Sequence, residues 1–185
     1  MPYWIFHNLQ PGDVDAIIAY LRTVPAVANV VPPNDPPFEN PAATATPVDP
    51  SSIPNVGPAN GRYLAQFACL DCHTPELPPG SARPIDMTRA FAGGRVFPIG
   101  PNNITSVNLT PDKTGLDGGW SQADIVRVLK QGRDPEDGGI CPPMPVGPMG
   151  AFGGLTDQDA KDIADYICSL SAISNPDAAV ENVCP

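Results

Sequence analysis

Apolar residues recur at helical spacing in two segments near opposite ends of the chain, residues 9–24 and residues 155–170. In each segment they form a stripe along one face, which predicts an amphipathic helix. The stripes consist of Val14, Ile17, Ile18 and Leu21 in the first segment and of Ala160, Ile163, Ala164 and Ile167 in the second. Thr156, followed three residues later by Asp159, is typical of a helix N-cap.

Two more helices are predicted between these segments. Residues 61–73 form one of them, and residues 122–131 form the other, which follows a capping Ser121 and stops before Gly132. Their inward positions are Leu64, Phe67 and Ala68 in the former and Ile125, Val128 and Leu129 in the latter. The 26 prolines and 17 glycines predict long, irregular Pro/Gly-rich loops between the helices. The pattern as a whole predicts an all-α fold.

The sequence Cys69-Leu70-Asp71-Cys72-His73 ends the helix predicted over residues 61–73. On a helix, Cys69, Cys72 and His73 stand at positions i, i+3 and i+4 and therefore share one face. Such a face can hold two covalent anchors and an axial ligand against a flat macrocycle, and Cys-x-x-Cys-His is the pattern of c-type haem attachment. We therefore predict one covalent haem c at these residues, with His73 as an iron ligand.

Two other sites can contain such a motif, a structural zinc site and a thioredoxin-like redox pair. A structural zinc site needs four ligands. The further candidates are Cys141, Cys168, Cys184 and His7, none of which forms a second close pair. A thioredoxin-like redox pair would follow a strand in a βαβ context, whereas the segment before this motif is predicted to be helical.

A second iron ligand is expected, because the iron of electron-carrying c-type cytochromes usually takes a methionine opposite the histidine. Met144 is favoured, since prolines flank it and restrict the backbone, which can hold a ligand loop open. Met149 is the runner-up. His7 is the remaining candidate, and we expect it to be exposed.

The formal net charge of −10 restricts the partners. It argues against nucleic acid and anionic membrane surfaces, and it is compatible with a redox protein that has a basic docking surface. The chain contains no run of 18 apolar residues, so no transmembrane anchor is predicted in it. It also shows no secretory signal, although c-type haem is attached after export; we therefore expect a mature or incomplete product.

Three cysteines remain after haem attachment, and they favour an oxidising compartment outside the cytoplasm. A disulfide between Cys141 and Cys184 would tie the C-terminal tail to the loop that carries Met144. Pairing of Cys168 with Cys184 is the alternative, and the sequence leaves both open.

Residues 106–120, SVNLTPDKTGLDGGW, resemble the NITPD…TGIG…W signature of the multi-haem cytochrome c subunits of membrane-bound alcohol and gluconate dehydrogenases. SQADIVRVLKQGRD and then the PPMP of residues 142–145 follow in the order that this family uses. The resemblance implies a class I-like cytochrome c fold. The expected location is bacterial and periplasmic or otherwise extracytoplasmic. The resemblance also implies that Asn108, Trp120 and Arg133 line the haem edge, where their donors would suit haem propionates.

The two amphipathic end segments are copies of one pattern, which align without a gap over 16 positions. A Met-Pro pair precedes each, Met1-Pro2 and Met144-Pro145. We therefore expect residues 1–31 to close a preceding cytochrome-like domain, residues 32–58 to be a Pro-rich linker and residues 59–185 to form the haem domain. A second haem would then lie in a part of the protein outside this chain.

The other interpretation of residues 1–31 is an ordinary N-terminal helix that packs on the main domain. Trp4, Ile5 and Phe6 would expose apolar surface if nothing covered them. We therefore expect this segment to dock on the haem domain or to mediate self-association.

The functional prediction is one-electron transfer by a haem with His/Met ligation, between redox partners outside the cytoplasm. An electron carrier or an electron-transfer subunit is favoured over a catalyst. The alternative is a haem enzyme such as a peroxidase, with a labile sixth ligand and acid–base groups beside it. With only two histidines in the chain, one of them on the iron, such groups are scarce.

Overall fold

The structure is a computed structural model, and it describes residues 2–31, 46–79, 81, 84–99, 102–116 and 119–178. Five α-helices lie in this part of the chain. They are α1 (Tyr3–Phe6), α2 (Pro11–Thr23), α3 (Ala59–Ala68), α4 (Gln122–Gln131) and α5 (Asp157–Cys168). Short 3₁₀ helices occupy Pro50–Ser52, Met87–Arg89 and Ala151–Gly154.

Helix α4 has the capping predicted from the sequence. The Ser121 hydroxyl accepts a hydrogen bond from the Asp124 backbone N–H, and the Asp124 carboxylate accepts one from the Ser121 N–H. These reciprocal bonds satisfy two N–H groups that the first helical turn would otherwise leave unpaired. Gly132 ends the helix with a φ of 68°, in the left-handed region that favours glycine.

Helix α5 begins at the predicted position and supplies most of the helical core. The Thr156 hydroxyl accepts a hydrogen bond from the Asp159 N–H, as the N-cap pattern predicts. The helix packs against α3 and α4. Its buried residues are Ala160, Ile163, Ala164, Tyr166 and Ile167, which include the whole predicted stripe.

The all-α prediction omitted a small sheet. Strands β1 (Val96–Ile99) and β2 (Asn102–Thr105) pair antiparallel in the region predicted to be loop, with Val96 opposite Thr105. The architecture is therefore mostly helical with one two-stranded sheet. A second difference concerns α3, which ends at Ala68 rather than at the predicted His73.

Part of the predicted Pro-rich linker packs into the core. Val48 and Ile53 are both buried in the cluster that contains Ile163 and Leu70. The portion 32–45 lies outside the described residues. Among the described helices, none combines the length and the apolar content that crossing a membrane requires.

Candidate haem attachment site

The two thiols of the motif lie in a turn that directly follows α3. The His73 N–H donates to the Cys69 carbonyl over 2.9 Å, so the backbone completes one more helical turn after Ala68. This bond keeps the i, i+4 relation between Cys69 and His73 that the sequence predicts. Cys69 is buried and Cys72 is half-buried, and both are free thiols.

His73 is buried and its imidazole has a fixed orientation. Its Nδ1 lies 2.9 Å from the carbonyl oxygen of Val107. Because a carbonyl can only accept, Nδ1 carries the proton in this contact and Nε2 keeps its lone pair for a metal. Burial lowers the pKa of His73, and the Val107 carbonyl opposes that shift. The neutral imidazole is the form that ligates iron.

The two thiols do not resemble an activated redox pair. Burial raises the pKa of Cys69 to about 12, with a smaller contribution from the neighbouring Cys72. Burial also raises the pKa of Cys72, helped by the negative charge of Asp71. Redox-active Cys-x-x-Cys pairs instead have lowered thiol pKa values. The surroundings therefore do not favour a redox-active pair.

Arg95 braces the attachment turn, a role that the sequence analysis missed. Its guanidinium donates to the backbone carbonyl of Asp71 over 3.0 Å and to the Asp71 carboxylate over 2.8 Å. It also pairs with Glu76 at 3.0 Å and lies over the ring of Phe97. Because one guanidinium nitrogen donates to both the backbone and the side chain of Asp71, the contact fixes the position of the turn and compensates the Asp71 charge. No local sequence signal joins residues 24 positions apart.

Trp4 provides a second brace from the N-terminal segment. Its indole N–H donates to the other oxygen of the Asp71 carboxylate over 3.0 Å. The middle of the Cys-x-x-Cys-His motif is therefore held between Arg95 and helix α1. This contact spans 67 positions in sequence.

The candidate sixth ligands differ in their surroundings. Met144 is half-buried and packs against the hydrophobic core, whereas the Met149 side chain is 99% exposed. His7 is exposed at the end of α1, as expected. Met87 is also half-buried against the core. Of the two methionines in the loop before α5, Met144 is the one that faces the interior.

Asn108 is fully buried, but the structure gives it a bracing role. Its Nδ2 donates both hydrogens, to the Thr114 hydroxyl over 3.1 Å and to the Ile173 carbonyl over 2.7 Å. Its Oδ1 accepts from both the backbone N–H and the hydroxyl of Thr110. Protein atoms therefore occupy both N–H donors that the resemblance assigns to a haem propionate. These hydrogen bonds form a hub at Asn108, which connects the loop that holds Val107 to the segment after α5.

Trp120 and Arg133 lie in different surroundings. Trp120 is half-buried and lines an apolar cleft together with Leu109, Leu116 and Ile167. Arg133 is exposed, and its guanidinium donates to the Asp137 carbonyl over 2.9 Å. Trp120 thus has an interior position compatible with the predicted haem edge, while Arg133 sits at the surface.

The remaining cysteines have separate environments. Cys141 is buried and takes part in an interaction, whereas Cys168 is an exposed free thiol. Cys184 lies outside the described residues, so its predicted pairing with Cys141 stays a prediction. The free Cys168 speaks against the alternative pairing.

The donor set fits haem better than zinc. Two thiols, one imidazole with a free Nε2 and a half-buried methionine are the donor types that a covalently attached, six-coordinate haem uses. Zinc would need four protein ligands in one place. Within the described ranges, no three His, Cys, Asp or Glu side chains form a group that could hold a metal ion.

These residues define a c-type cytochrome domain, and comparison with known proteins agrees. Residues 57–167 match the family described as cytochrome c oxidase, cbb3-type, subunit III. The match includes the attachment motif, the Val107 carbonyl, Met144 and nearly all of α5. The chain belongs to this family.

Three relatives place the chain among electron-transfer proteins. It is 31% identical over 129 residues to the fructose dehydrogenase cytochrome subunit of Gluconobacter japonicus, covering 69% of this chain and 24% of that protein. It is 29% identical over 186 residues to a diheme cytochrome c-type protein of Cereibacter sphaeroides, covering 93% and 58% respectively. It is 28% identical over 107 residues to the gluconate 2-dehydrogenase cytochrome c subunit of Pantoea cypripedii, covering 57% and 21%.

The chain therefore spans between about a fifth and three fifths of the length of these curated relatives. Haem-based electron transfer follows from the family and from the relatives. Membership of this family also implies the covalent haem c that the Cys-x-x-Cys-His motif predicts.

Proposed function

We propose that this chain is a one-electron carrier domain with a His/Met-ligated haem c. The observation that carries the proposal is the orientation of His73, whose Nδ1 is engaged by Val107 while its Nε2 is left for iron. Cys69 and Cys72 would form the thioether anchors, and Met144 would supply the sixth ligand. When bound, the haem supplies a reversible one-electron couple.

The residues around the site would keep it rigid and dry. Arg95 and Trp4 hold the attachment turn through Asp71, and the hub at Asn108 holds the loop that bears Val107. Fixed ligands need little rearrangement when the charge of the site changes. A class I-like arrangement of α3, α4 and α5 would bury the macrocycle except at one edge.

The extracytoplasmic setting belongs to this proposal. Two of the relatives are named as cytochrome subunits of a fructose dehydrogenase and a gluconate 2-dehydrogenase. By analogy, the partners of this chain would be redox proteins in the bacterial periplasm. The net charge of −10 favours a partner with a basic docking surface. A Cys141–Cys184 disulfide would fit the same compartment.

A second haem is part of the proposal as well. The repeat that links residues 9–24 to residues 155–170 supports a preceding cytochrome domain closed by residues 1–31. The diheme relative aligns along 93% of this chain, which gives the same expectation.

Substitution of the two candidate methionines tests the carrier function against the enzyme alternative. In the holoprotein, Met144→Leu should lower the reduction potential and allow carbon monoxide to bind the ferrous iron, because an axial methionine raises the potential and fills the sixth site. Met149→Leu is the matched control and should change neither, since its side chain is in solvent. Stoichiometric carbon monoxide binding by the unaltered protein would instead favour a haem enzyme.

A further inference from the structure

Helix α2 exposes a complete apolar face. Its large apolar side chains are 38% to 69% exposed, and none of its residues is buried. The exposed residues are Val14, Ile17, Ile18, Tyr20 and Leu21. A contiguous apolar stripe of this kind marks a surface that something else covers.

The repeat identifies what covers the equivalent face of α5. With Leu9 aligned to Leu155, α2 and α5 both begin at the same position of the repeat, at Pro11 and Asp157. The five exposed residues of α2 then correspond one to one to the five buried residues of α5, which are Ala160, Ile163, Ala164, Tyr166 and Ile167. The same face is therefore buried in one copy and uncovered in the other.

Of the described helices, the haem-bearing helix α3 has the most extensive contact with α5. At the crossing, Gly61 of α3 lies directly against the backbone carbonyl of Asp162. The position equivalent to Asp162 in α2 is Ala16, which is exposed. Tyr166 is fully buried at the crossing, whereas the equivalent Tyr20 is 69% exposed.

Helix α1, in contrast, is seated on the haem domain. Ile5 is only 2% exposed, and the ring of Phe6 stacks on Phe67 of α3 at 6.1 Å. The carbonyl of Trp4 accepts a hydrogen bond from the Val48 N–H over 2.8 Å, while its indole reaches Asp71. Residues 2–10 therefore belong to this domain. Helix α2 contacts the domain at its first turn, where the Tyr63 hydroxyl donates to the Asp13 carboxylate, but it buries none of its residues there.

We propose that α2 docks against the haem-bearing helix of a second cytochrome c domain, so that residues 1–31 join two haem domains into one unit. This inference rests on the proposed function, and specifically on its second haem. The occupant is a helix of the α3 type that lacks an α5-type partner of its own. A second folded copy of this chain does not fit, because its α3 is already covered by its own α5.

The test uses the holoprotein with its complete polypeptide, as isolated from its source. Hydrogen exchange of the α2 amides and the haem count from intact mass are measured for the unaltered protein and two variants. Ile17→Glu places a carboxylate within the stripe. Ala19→Glu, on the opposite face of α2, is the matched control for added charge and helix propensity.

The proposal predicts at least two haems in the unit and α2 amides protected to the level of those in α5. Ile17→Glu should abolish this protection while α3 and α5 keep theirs, and Ala19→Glu should leave it intact. One haem with freely exchanging α2 amides would overturn the inference but leave the carrier function standing. A single haem, together with protection of the α2 amides that depends on protein concentration, would assign the apolar face of α2 to self-association. That result would also overturn the inference. Absence of haem from Cys69 and Cys72 would defeat the carrier function itself.

Discussion

Gly61 marks the closest approach of the haem helix to α5, and substituting it gives the sharpest structural prediction. A Cβ added at this position would lie well inside contact distance of the Asp162 carbonyl oxygen and 2.9 Å from the Cβ of Tyr166. Backbone atoms cannot move aside as a flexible side chain can, so α3 and α5 would have to separate by roughly 1 Å. Overpacking of this kind typically costs about 1 to 3 kcal/mol.

We expect Gly61→Ala to fall near the upper end of that range, because the crossing involves backbone and the fully buried Tyr166. The intrinsic helix preference of alanine offsets at most about 1 kcal/mol of the cost. The net prediction is a loss of about 2 to 3 kcal/mol in the free energy of unfolding of the ferric holoprotein, measured by guanidinium titration.

Gly12→Ala is the matched control, since an added Cβ there meets nothing within 4 Å. It also lies in a helix, so it isolates the propensity effect, and we expect unchanged or slightly higher stability. If Gly61→Ala proved as stable as Gly12→Ala, the close packing of α3 on α5 would be refuted. The crossing of α3 and α5 would then no longer indicate what covers α2.

Three further substitutions test other parts of the structure by the same unfolding measurement. Thr156→Ala should cost about 1 kcal/mol through loss of the α5 N-cap, and Thr156→Ser should restore most of it. Arg95→Met should cost about 1.5 to 3 kcal/mol because a half-buried carboxylate loses a charged partner, whereas Arg127→Met removes a mostly exposed ion pair and should cost less than about 1 kcal/mol. Asn108→Ala should cost at least about 2 kcal/mol by leaving several buried groups unpaired, while the exposed Asn60→Ala should be nearly neutral. Equal effects within any of these three pairs would contradict the corresponding contact.

Local sequence patterns were sufficient for the elements whose signals are local. The caps at Ser121 and Thr156 and the buried stripe of α5 were predicted and are confirmed. The prediction that α3 ends at His73 was wrong, since the helix ends at Ala68. The turn from Cys69 to His73 keeps one helical hydrogen bond but does not continue the helix. The β-hairpin was missed because each strand has only four residues, which is too few to show an alternating apolar pattern. In addition, β1 contains Pro98, which is unusual in a strand.

The bracing of the site could not be predicted, because it depends on contacts between distant residues. Neither Arg95 nor Trp4 carries a local signal that directs it to Asp71. The preference for Met144 over Met149 rested on flanking prolines, whereas the difference between them in the structure is burial. Similarly, the apolar residues Trp4, Ile5 and Phe6 predicted that residues 1–31 dock, but only the fold separates the seated α1 from the uncovered α2.

The intact and peptide mass of the denatured protein tests the central claim most directly. Covalent attachment at Cys69 and Cys72 predicts that the peptide spanning these residues carries the mass of one haem, which denaturation does not remove, and that Cys69→Ala/Cys72→Ala loses it. An unmodified peptide with two alkylatable thiols, from protein made in a compartment competent for haem attachment, would contradict the claim.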